Sequence, residues 1–236
     1  MSVPEFSSKQ WCRICFYPLP LESDQCSHCA DIQIMKQERD RRVKQATIHA
    51  LGGERPFIEY TKASFMTPCF RLKQALNKCA TFNSLEDNLF IWSKCNDTPF
   101  TYGNGTGKTH LAAIALRRVL EYGGTGRLVK PSQLYRELRD CETAAGERHF
   151  LRSLGELDAL VIDDIDSAKD TEYTAQTLYD IIDTRYMSAR GGLIVTSNVP
   201  LQDLERRWRS GRLVSRLKQM CSLIDLSGLP DRRLGK

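Results

Sequence analysis

The residues with the clearest chemical meaning form a glycine-rich run just before an Ala/Leu-rich stretch. Small side chains let several backbone N–H groups point at one anion, and a helix N-terminus adds partial positive charge. Lys108 can then reach the outer phosphates of ATP, and the Thr109 hydroxyl can bind magnesium. A flexible glycine turn is the alternative, which the following helical pattern disfavours. The predicted phosphate loop consists of Gly103, Asn104, Gly105, Thr106, Gly107, Lys108 and Thr109.

This loop departs from the usual phosphate-binding pattern at one position. The pattern GxxxxGK[ST] requires a glycine where the chain has Tyr102. Gly103 replaces it only if the loop is one residue shorter, and the strand predicted to lead into the loop, residues 99–102, is weakly apolar. Two expectations therefore stay open: a site that hydrolyses ATP, and a site that binds nucleotide with little turnover.

Carboxylates follow a second strand-like segment. Asp163 and Asp164 come directly after the apolar run 157–162, and Asp163 lies 55 residues after Lys108. Beside a phosphate loop, Asp163 is predicted to hold magnesium or its waters and Asp164 to polarise the attacking water. The alternative is an ordinary helix cap. A third apolar run ends near Asn198, which would lie beside the other strand ends, near the transferred phosphate.

Four N-terminal cysteines form a separate constellation. Two CxxC pairs are separated by ten residues, a spacing that can close a tetrahedral zinc site. So small a segment has little core of its own, so bound metal would supply much of its folding free energy. Buried thiols and disulfides are the alternatives, and His28 is interpreted as a bystander. The predicted zinc ligands are Cys12, Cys15, Cys26 and Cys29.

The order of the predicted elements indicates how these groups are positioned. From residue 97 onward strands alternate with helices, one of which is predicted to begin near a capping Ser132. This predicts an α/β fold in which helices flank a parallel sheet, with a small zinc-binding domain at the N-terminus. The expected divisions are residues 1–32, a charged helical linker at 33–56, and an ATPase domain at 57–236.

Composition narrows the class of protein. The chain has 236 residues, 41% hydrophobic and 27% charged, and the net charge is +5. Residues 200–236 hold nine Lys/Arg against four Asp/Glu, a difference of +5 that suits a phosphate-bearing partner or simply a solvated face. No apolar run has the length of a membrane span and no signal peptide is evident, so we expect a cytoplasmic protein with no membrane partner.

Together these segments resemble the helicase-loader and transposition-helper group of AAA+ ATPases, the DnaC, DnaI and IstB relatives. GNGTGKTHLA resembles the group's first nucleotide-binding motif, DALVIDDID its second, and GGLIVTSNVP the strand leading to its sensor residue. FIEYTKASF is similar to the aromatic lead-in before the ATPase domain. The resemblance covers residues 57–236, and in some loaders a zinc-bearing N-terminal domain contacts the helicase.

The resemblance implies further residues and partners. GRLVSRLKQM is similar to the arginine-finger segment, which assigns the finger to Arg216, with Arg212 nearby, and implies a homo-oligomer. The PDRR ending resembles the second sensor, which assigns a nucleotide contact to Arg233, with Arg232 as its rival. The implied partners are a hexameric replicative DNA helicase and single-stranded DNA.

The resemblance implies an ATP-dependent loader that places a replicative DNA helicase on single-stranded DNA, and three other functions are alternatives. A transposition helper would use the same ATPase domain to deliver a transposase to DNA. A nucleotide-gated adaptor would need ATP binding but little hydrolysis, as the irregular loop suggests. A metabolic kinase would leave the basic C-terminal section and the finger-like arginine without a role.

Overall fold

The computed structural model describes residues 27–52, 59–94, 105–169, 171–188, 191–208 and 211–232. The chain divides into two compact units, Met1–Gln45 and Ala46–Lys236. Helix α1, Ser27–Ala50, includes the charged run 36–44, so the helical character predicted there is confirmed. The domain borders predicted at residues 32 and 56 stay predictions. Within the described ranges, no helix combines the length and apolarity needed to cross a membrane.

The remaining elements belong to the second unit. Strands are short, and helices follow most of them. In chain order the elements are α2 Phe70–Ala80, β1 Leu89–Trp92, α3 Lys108–Glu121, β2 Gly126–Val129, α4 Pro131–Arg139, α5 Ala144–Gly155, β3 Ala159–Ile162, a 3-10 turn Ile165–Ser167, α6 Glu172–Ser188, β4 Gly192–Ser197, α7 Leu201–Arg207, α8 Gly211–Met220 and β5 Ser222–Asp225.

The five strands form one sheet in the order β2-β3-β4-β1-β5. Every neighbouring pair is parallel, as the alternation of strands and helices predicted. Side chains that alternate along the strands enter two separate cores, with Leu89 and Ile91 on the α2 and α3 side and Phe90 on the other. Because helices cover both faces, residues 89–91, 159–162 and 193–195 of the central strands are all apolar and buried, which is typical of a parallel sheet.

This topology brings three chemically important loops to one edge. The carboxyl ends of parallel strands lie together, and β4 is hydrogen-bonded between β1 and β3. The segment after β1 leads to the phosphate loop, the segment after β3 carries the paired carboxylates, and Asn198 follows β4 directly. The fold therefore gathers residues that are far apart in the sequence.

One element prediction needs correction, and another falls on residues that the structure does not describe. The strand of the sheet that precedes the phosphate loop is Leu89–Trp92, which the sequence analysis did not identify, whereas residues 99–102 lie outside the described part of the chain. The predicted cap at Ser132 is wrong: α4 begins at Pro131, and Lys130 is its N-cap residue. A proline at the first helical position costs no hydrogen bond, because that N–H has no partner within a helix anyway.

A buried arginine anchors the start of β4. Arg185 of α6 is 1% exposed and donates hydrogen bonds to the backbone carbonyls of Leu154, Leu157 and Gly192 at 2.9, 3.0 and 2.9 Å. Burial lowers the pKa of Arg185 to about 10, so the guanidinium is still charged at neutral pH. These bonds join the end of α5 to Gly192, the first residue of β4. The same strand carries Thr196, whose hydroxyl lies in the candidate site.

Candidate nucleotide and magnesium site

The phosphate loop depends on two glycines in the left-handed region. Gly105 has φ 66° and Gly107, the N-cap residue of α3, has φ 99°. A Cβ at Gly105 would lie 1.7 Å from the Asp231 carboxylate, and one at Gly107 would lie 2.9 Å from the Phe65 ring. Only glycine combines this backbone with so little space. Tyr102, Gly103 and Asn104 lie outside the described residues.

The lysine of the loop is held by the end of β1. Lys108 is 6% exposed, and its ammonium donates to the Ser93 hydroxyl at 2.7 Å. The Thr106 hydroxyl donates to the same oxygen at 3.2 Å. Ser93 directly follows β1 and was missed by sequence reasoning; a serine directly after the apolar run LFIW was the available signal. An ammonium has three N–H donors, so further donors can turn to phosphate oxygens.

The carboxylate after β3 accepts hydrogen bonds from two other elements. Oδ1 of Asp163 accepts from the Thr109 hydroxyl at 2.8 Å and from the Thr196 hydroxyl at 2.7 Å. Burial, with Asp163 only 1% exposed, raises its pKa to about 6; the negative charge of Asp164 adds to the rise, and the two hydroxyls oppose it. The predicted pair Thr109 and Asp163 is thus in direct contact.

The next residue has an unusual backbone. Asp164 has φ 53° and ψ 53°, the sole non-glycine residue with positive φ among those described. Its backbone N–H donates to the Thr196 hydroxyl at 2.8 Å. A left-handed conformation outside glycine costs on the order of 1 kcal/mol or more, and such residues cluster at functional sites.

Asn198, the residue directly after β4, is hydrogen-bonded to the loop after β3. Asn198 donates its backbone N–H to Oδ1 of Asp166 at 2.8 Å and its side-chain amide to Oδ2 at 3.2 Å. Because a carboxylate only accepts, these bonds leave the Asn198 side-chain oxygen as an acceptor with no hydrogen bond in the described part of the chain. Asp166, which sequence reasoning did not select, therefore fixes the orientation of Asn198.

These oxygens fit magnesium. Mg²⁺ prefers hard oxygen ligands and is usually held by one or two protein groups together with phosphates and water. Asp163 and Thr109 supply a carboxylate and a hydroxyl in contact, beside the loop that carries Lys108. The burial that raises the pKa of Asp163 also disfavours its charge, an effect that a bound cation would offset.

An aromatic segment lies against the first turn of α3. His110 stacks on Tyr60 with centroids 4.5 Å apart and meets the Phe65 ring edge-on at 4.9 Å. His110 also bonds through Nε2 to the Thr61 carbonyl at 2.9 Å, and burial lowers its pKa. Within the lead-in predicted from the sequence, Phe65 is therefore packed beside Gly107.

Arg232 of the C-terminal segment also lies at the phosphate loop. The backbone N–H of Arg232 donates to the Gly105 carbonyl at 3.1 Å, and its guanidinium lies 4.0 Å above the Phe65 ring. Nη2 donates to the Met66 carbonyl at 2.7 Å, whereas Nη1 is buried with no hydrogen-bond acceptor in the described ranges. The rival candidate Arg232 thus sits at the phosphate loop, and Arg233 lies outside the described residues.

The hydrogen bonds of Arg216, the predicted arginine finger, lie away from the carboxylates after β3. Arg216 donates from Nε to Asp183 at 2.8 Å and from Nη1 to Gln219 at 3.2 Å, and it lies 4.2 Å above the Tyr186 ring. None of its hydrogen bonds in the described part of the chain reaches the carboxylates after β3. Arg212 and Arg216 line a shallow depression together with Tyr179, Gly211 and Ser215.

The zinc prediction falls mostly outside the described residues. Cys12, Cys15 and Cys26 lie there, and Cys29 is buried in the first turn of α1. Within the ranges that the structure describes, no group of three or more His, Cys, Asp or Glu side chains is placed to hold a metal ion. Zinc binding therefore stays a prediction.

Fold and site define a class, and comparison with known proteins defines the family. A five-stranded parallel sheet with a phosphate loop after β1 and carboxylates after β3 is the α/β architecture of P-loop AAA+ proteins. Residues 70–226 match the family described as IstB-like ATP binding protein. The chain belongs to this family.

Two curated proteins of Escherichia coli K12 are similar to this chain. The chain is 30% identical over 169 residues to the uncharacterized protein YdaV of Escherichia coli K12, covering 70% of this chain and 65% of YdaV. It is 31% identical over 98 residues to the replicative helicase loader DnaC of the same strain, 40% of each chain. The match thus spans less than two thirds of both relatives.

A solved structure shows the same fold. The crystal structure of the DnaC helicase loader aligns with a TM-score of 0.57 at 20% identity, covering 73% of this chain and 99% of that one. At this identity the likeness supports the architecture alone.

Proposed function

We propose that the chain hydrolyses ATP and uses the nucleotide cycle to place a replicative DNA helicase on single-stranded DNA. The observation that carries the hydrolytic part is the bonded cluster of Thr109, Asp163 and Thr196 beside Lys108. A phosphate loop, a buried magnesium-binding carboxylate and a second carboxylate are the parts that this reaction requires. The helicase part rests on the relation to DnaC.

Each residue has a separate task in this proposal. Lys108 contacts the outer phosphates, with the N–H groups around Gly105 and Gly107 directed at the same anion. Thr109 and Asp163 hold magnesium, which neutralises phosphate charge when bound. Asp164 polarises the attacking water, and Asn198 positions it through the side-chain oxygen that Asp166 leaves available.

The nucleotide base and sugar belong near the aromatic segment. Tyr60, Phe65 and His110 form a group of contacting rings beside the phosphate loop, with Tyr60 stacked on His110 and Phe65 edge-on to it. We assign the second-sensor role to Arg232, because its buried Nη1 lacks an acceptor in the described ranges and a phosphate oxygen would supply one.

Arg216 is proposed to act on another copy of the chain. Its guanidinium is bonded to Asp183 and none of its bonds reaches the carboxylates after β3. A finger donated to a neighbouring subunit would make hydrolysis depend on assembly, because a charged donor at the transferred phosphate stabilises the transition state. Homo-oligomerisation is part of the same proposal.

Capture of a binding partner from host extract tests whether the chain acts on a replicative helicase. The bait is the full chain with Asp164→Asn in the presence of ATP, which should bind nucleotide without turning it over. We expect recovery of a replicative helicase from host extract, with loss of the helicase when Cys12 and Cys15 are both replaced by Ser. That loss would support the zinc-binding module as the helicase contact. Recovery of a transposase instead would identify a transposition helper and overturn helicase loading.

A further inference from the structure

One buried hydroxyl joins the two carboxylate residues after β3. Thr196 is the fifth residue of β4, in the middle of the sheet, and is fully buried. Its hydroxyl donates to Oδ1 of Asp163 at 2.7 Å and accepts the backbone N–H of Asp164 at 2.8 Å. The hydroxyl thus links the side chain of one acidic residue to the backbone of the next.

The bond to Asp163 fixes the carboxylate. Oδ1 already receives two hydroxyl donors, Thr196 and Thr109, which come from different elements. Oδ2 receives no hydrogen bond in the described part of the chain, so it is the oxygen with room for a further ligand. Without Thr196, a single bond from α3 would hold the carboxylate, and rotation about its side chain would be less restricted.

The bond to Asp164 fixes a strained backbone. The left-handed conformation of Asp164 persists only if the surroundings compensate for its cost. Its N–H is held by Thr196, and burial of that N–H without an acceptor would cost on the order of 1–3 kcal/mol. The direction of the Asp164 side chain therefore depends on a hydroxyl located 32 residues further along the chain.

We propose that Thr196 is the positioning residue of the hydrolytic site: through one hydroxyl it sets both the magnesium-binding carboxylate and the carboxylate that polarises water. This inference rests on the proposed ATP hydrolysis. Thr196 is fully buried, and its hydroxyl is engaged in these two bonds. It acts through Asp163 and Asp164, so its loss should affect the chemical step and magnesium use more than nucleotide affinity.

Thr177 of α6 offers a matched control. It is also buried, at 5% exposure, but its hydroxyl donates at 2.8 Å to the Tyr173 carbonyl within its own helix. Replacing either threonine by valine removes one buried hydroxyl at nearly constant volume. A general effect of losing such a hydroxyl would therefore appear in both variants.

The experiment compares Thr196→Val, Thr196→Ser and Thr177→Val in the full chain. We expect Thr196→Val to lower kcat roughly 30-fold and to raise the magnesium concentration for half-maximal rate several-fold. Its KM for ATP, and its affinity for a fluorescent ATP analogue in EDTA, should stay within about twofold of wild type. Thr196→Ser should recover most of kcat, and Thr177→Val should leave both kinetic values unchanged.

A second measurement is independent of turnover, and its first part needs only the wild-type protein. Amide hydrogen exchange on the wild-type protein should show the Asp164 N–H strongly protected, and in Thr196→Val it should exchange at least about tenfold faster. An unprotected Asp164 amide in wild type would overturn the proposal. So would Thr196→Val with wild-type kcat and magnesium dependence, or a folded Thr196→Ser as impaired as Thr196→Val.

The same data separate this inference from the proposed function. If the wild-type chain shows no hydrolysis in any condition, the hydrolytic function fails. The exchange rate of Asp164, and the gain in analogue affinity on adding magnesium, would still decide whether Thr196 positions the two residues.

Discussion

The carboxyl ends of β3 and β4 hold their polar residues quite differently from the surface formed by α6 and α8. At the strand ends, Asp163 and Thr196 are buried, and their bonds run between separate elements of one chain. On the helical surface, Arg216 and Asp183 are each 28% exposed, and the bonds of Arg216 stay on that surface. The fold arranges the carboxylates in advance at the strand ends, whereas it holds the arginine on a partly exposed surface.

The largest effect is expected at the strand ends. Asp164→Asn keeps the size of the side chain, and Asn tolerates the left-handed backbone well. We expect kcat to fall about 10³-fold because the group that polarises water is lost, while affinity for ATP stays close to wild type. Steady-state hydrolysis and equilibrium binding measure the two. Turnover within about threefold of wild type would remove Asp164 from the mechanism.

Replacing Arg216 on the surface formed by α6 and α8 should lower kcat somewhat less, and this loss should depend on protein concentration. Arg216→Ala should lower kcat about 10²-fold at concentrations where the wild type assembles, and should have little effect on nucleotide binding. Arg206→Ala is the control, because that arginine is 84% exposed on α7. Equal losses in the two variants would place Arg216 among ordinary surface charges.

In the absence of magnesium, the negative charge on the buried Asp163 carboxylate should lower the free energy of unfolding. Since the folded-state pKa of Asp163 is about 6, above its usual 3.8, its contribution to stability is present below 3.8 and is lost as pH rises to about 6. Asp163→Asn should therefore raise the free energy of unfolding by up to about 3 kcal/mol near pH 8 in EDTA, and by about half as much near pH 5. Urea titrations measure both, and a less stable variant near pH 8 would contradict this account.

The smallest effect is expected for Asp183, which accepts a hydrogen bond from Arg216. If Arg216 must leave Asp183 to reach a neighbour's phosphate, Asp183→Asn should ease that step. A partly exposed ion pair is weak, so we expect hydrolysis to rise only about two- to fourfold at limiting protein concentration. A decrease comparable to that of Arg216→Ala would instead mean that Asp183 holds Arg216 in its working position.

Local sequence patterns were sufficient for part of the molecule. The glycine-rich loop before Lys108 and the acidic pair after an apolar run are contiguous motifs, and the structure brings Thr109 and Asp163 together. The parallel sheet followed from the alternation of elements. The strand β1 was missed because LFIW is too short to show a period, and because residues 99–102 lay nearer the loop.

The rest of the site depends on contacts between distant segments. Thr196 meets Asp163 and Asp164 across 33 and 32 residues, Asn198 meets Asp166 across 32, and Ser93 meets Lys108 across 15. Serine and threonine are common residues, and an apolar run before Ser93 or Thr196 does not by itself tell which residue its hydroxyl contacts. Only the order of the strands in the sheet places them beside the motifs.

Mixing two inactive variants tests most directly whether one chain supplies the carboxylates and another the arginine. Asp164→Asn retains Arg216, and Arg216→Ala retains both carboxylates. If Arg216 acts on a neighbouring copy, an equimolar mixture should hydrolyse ATP at least about tenfold faster than either variant alone at the same total concentration. A mixture no faster than the mean of the two separate rates would contradict the division of the site between copies.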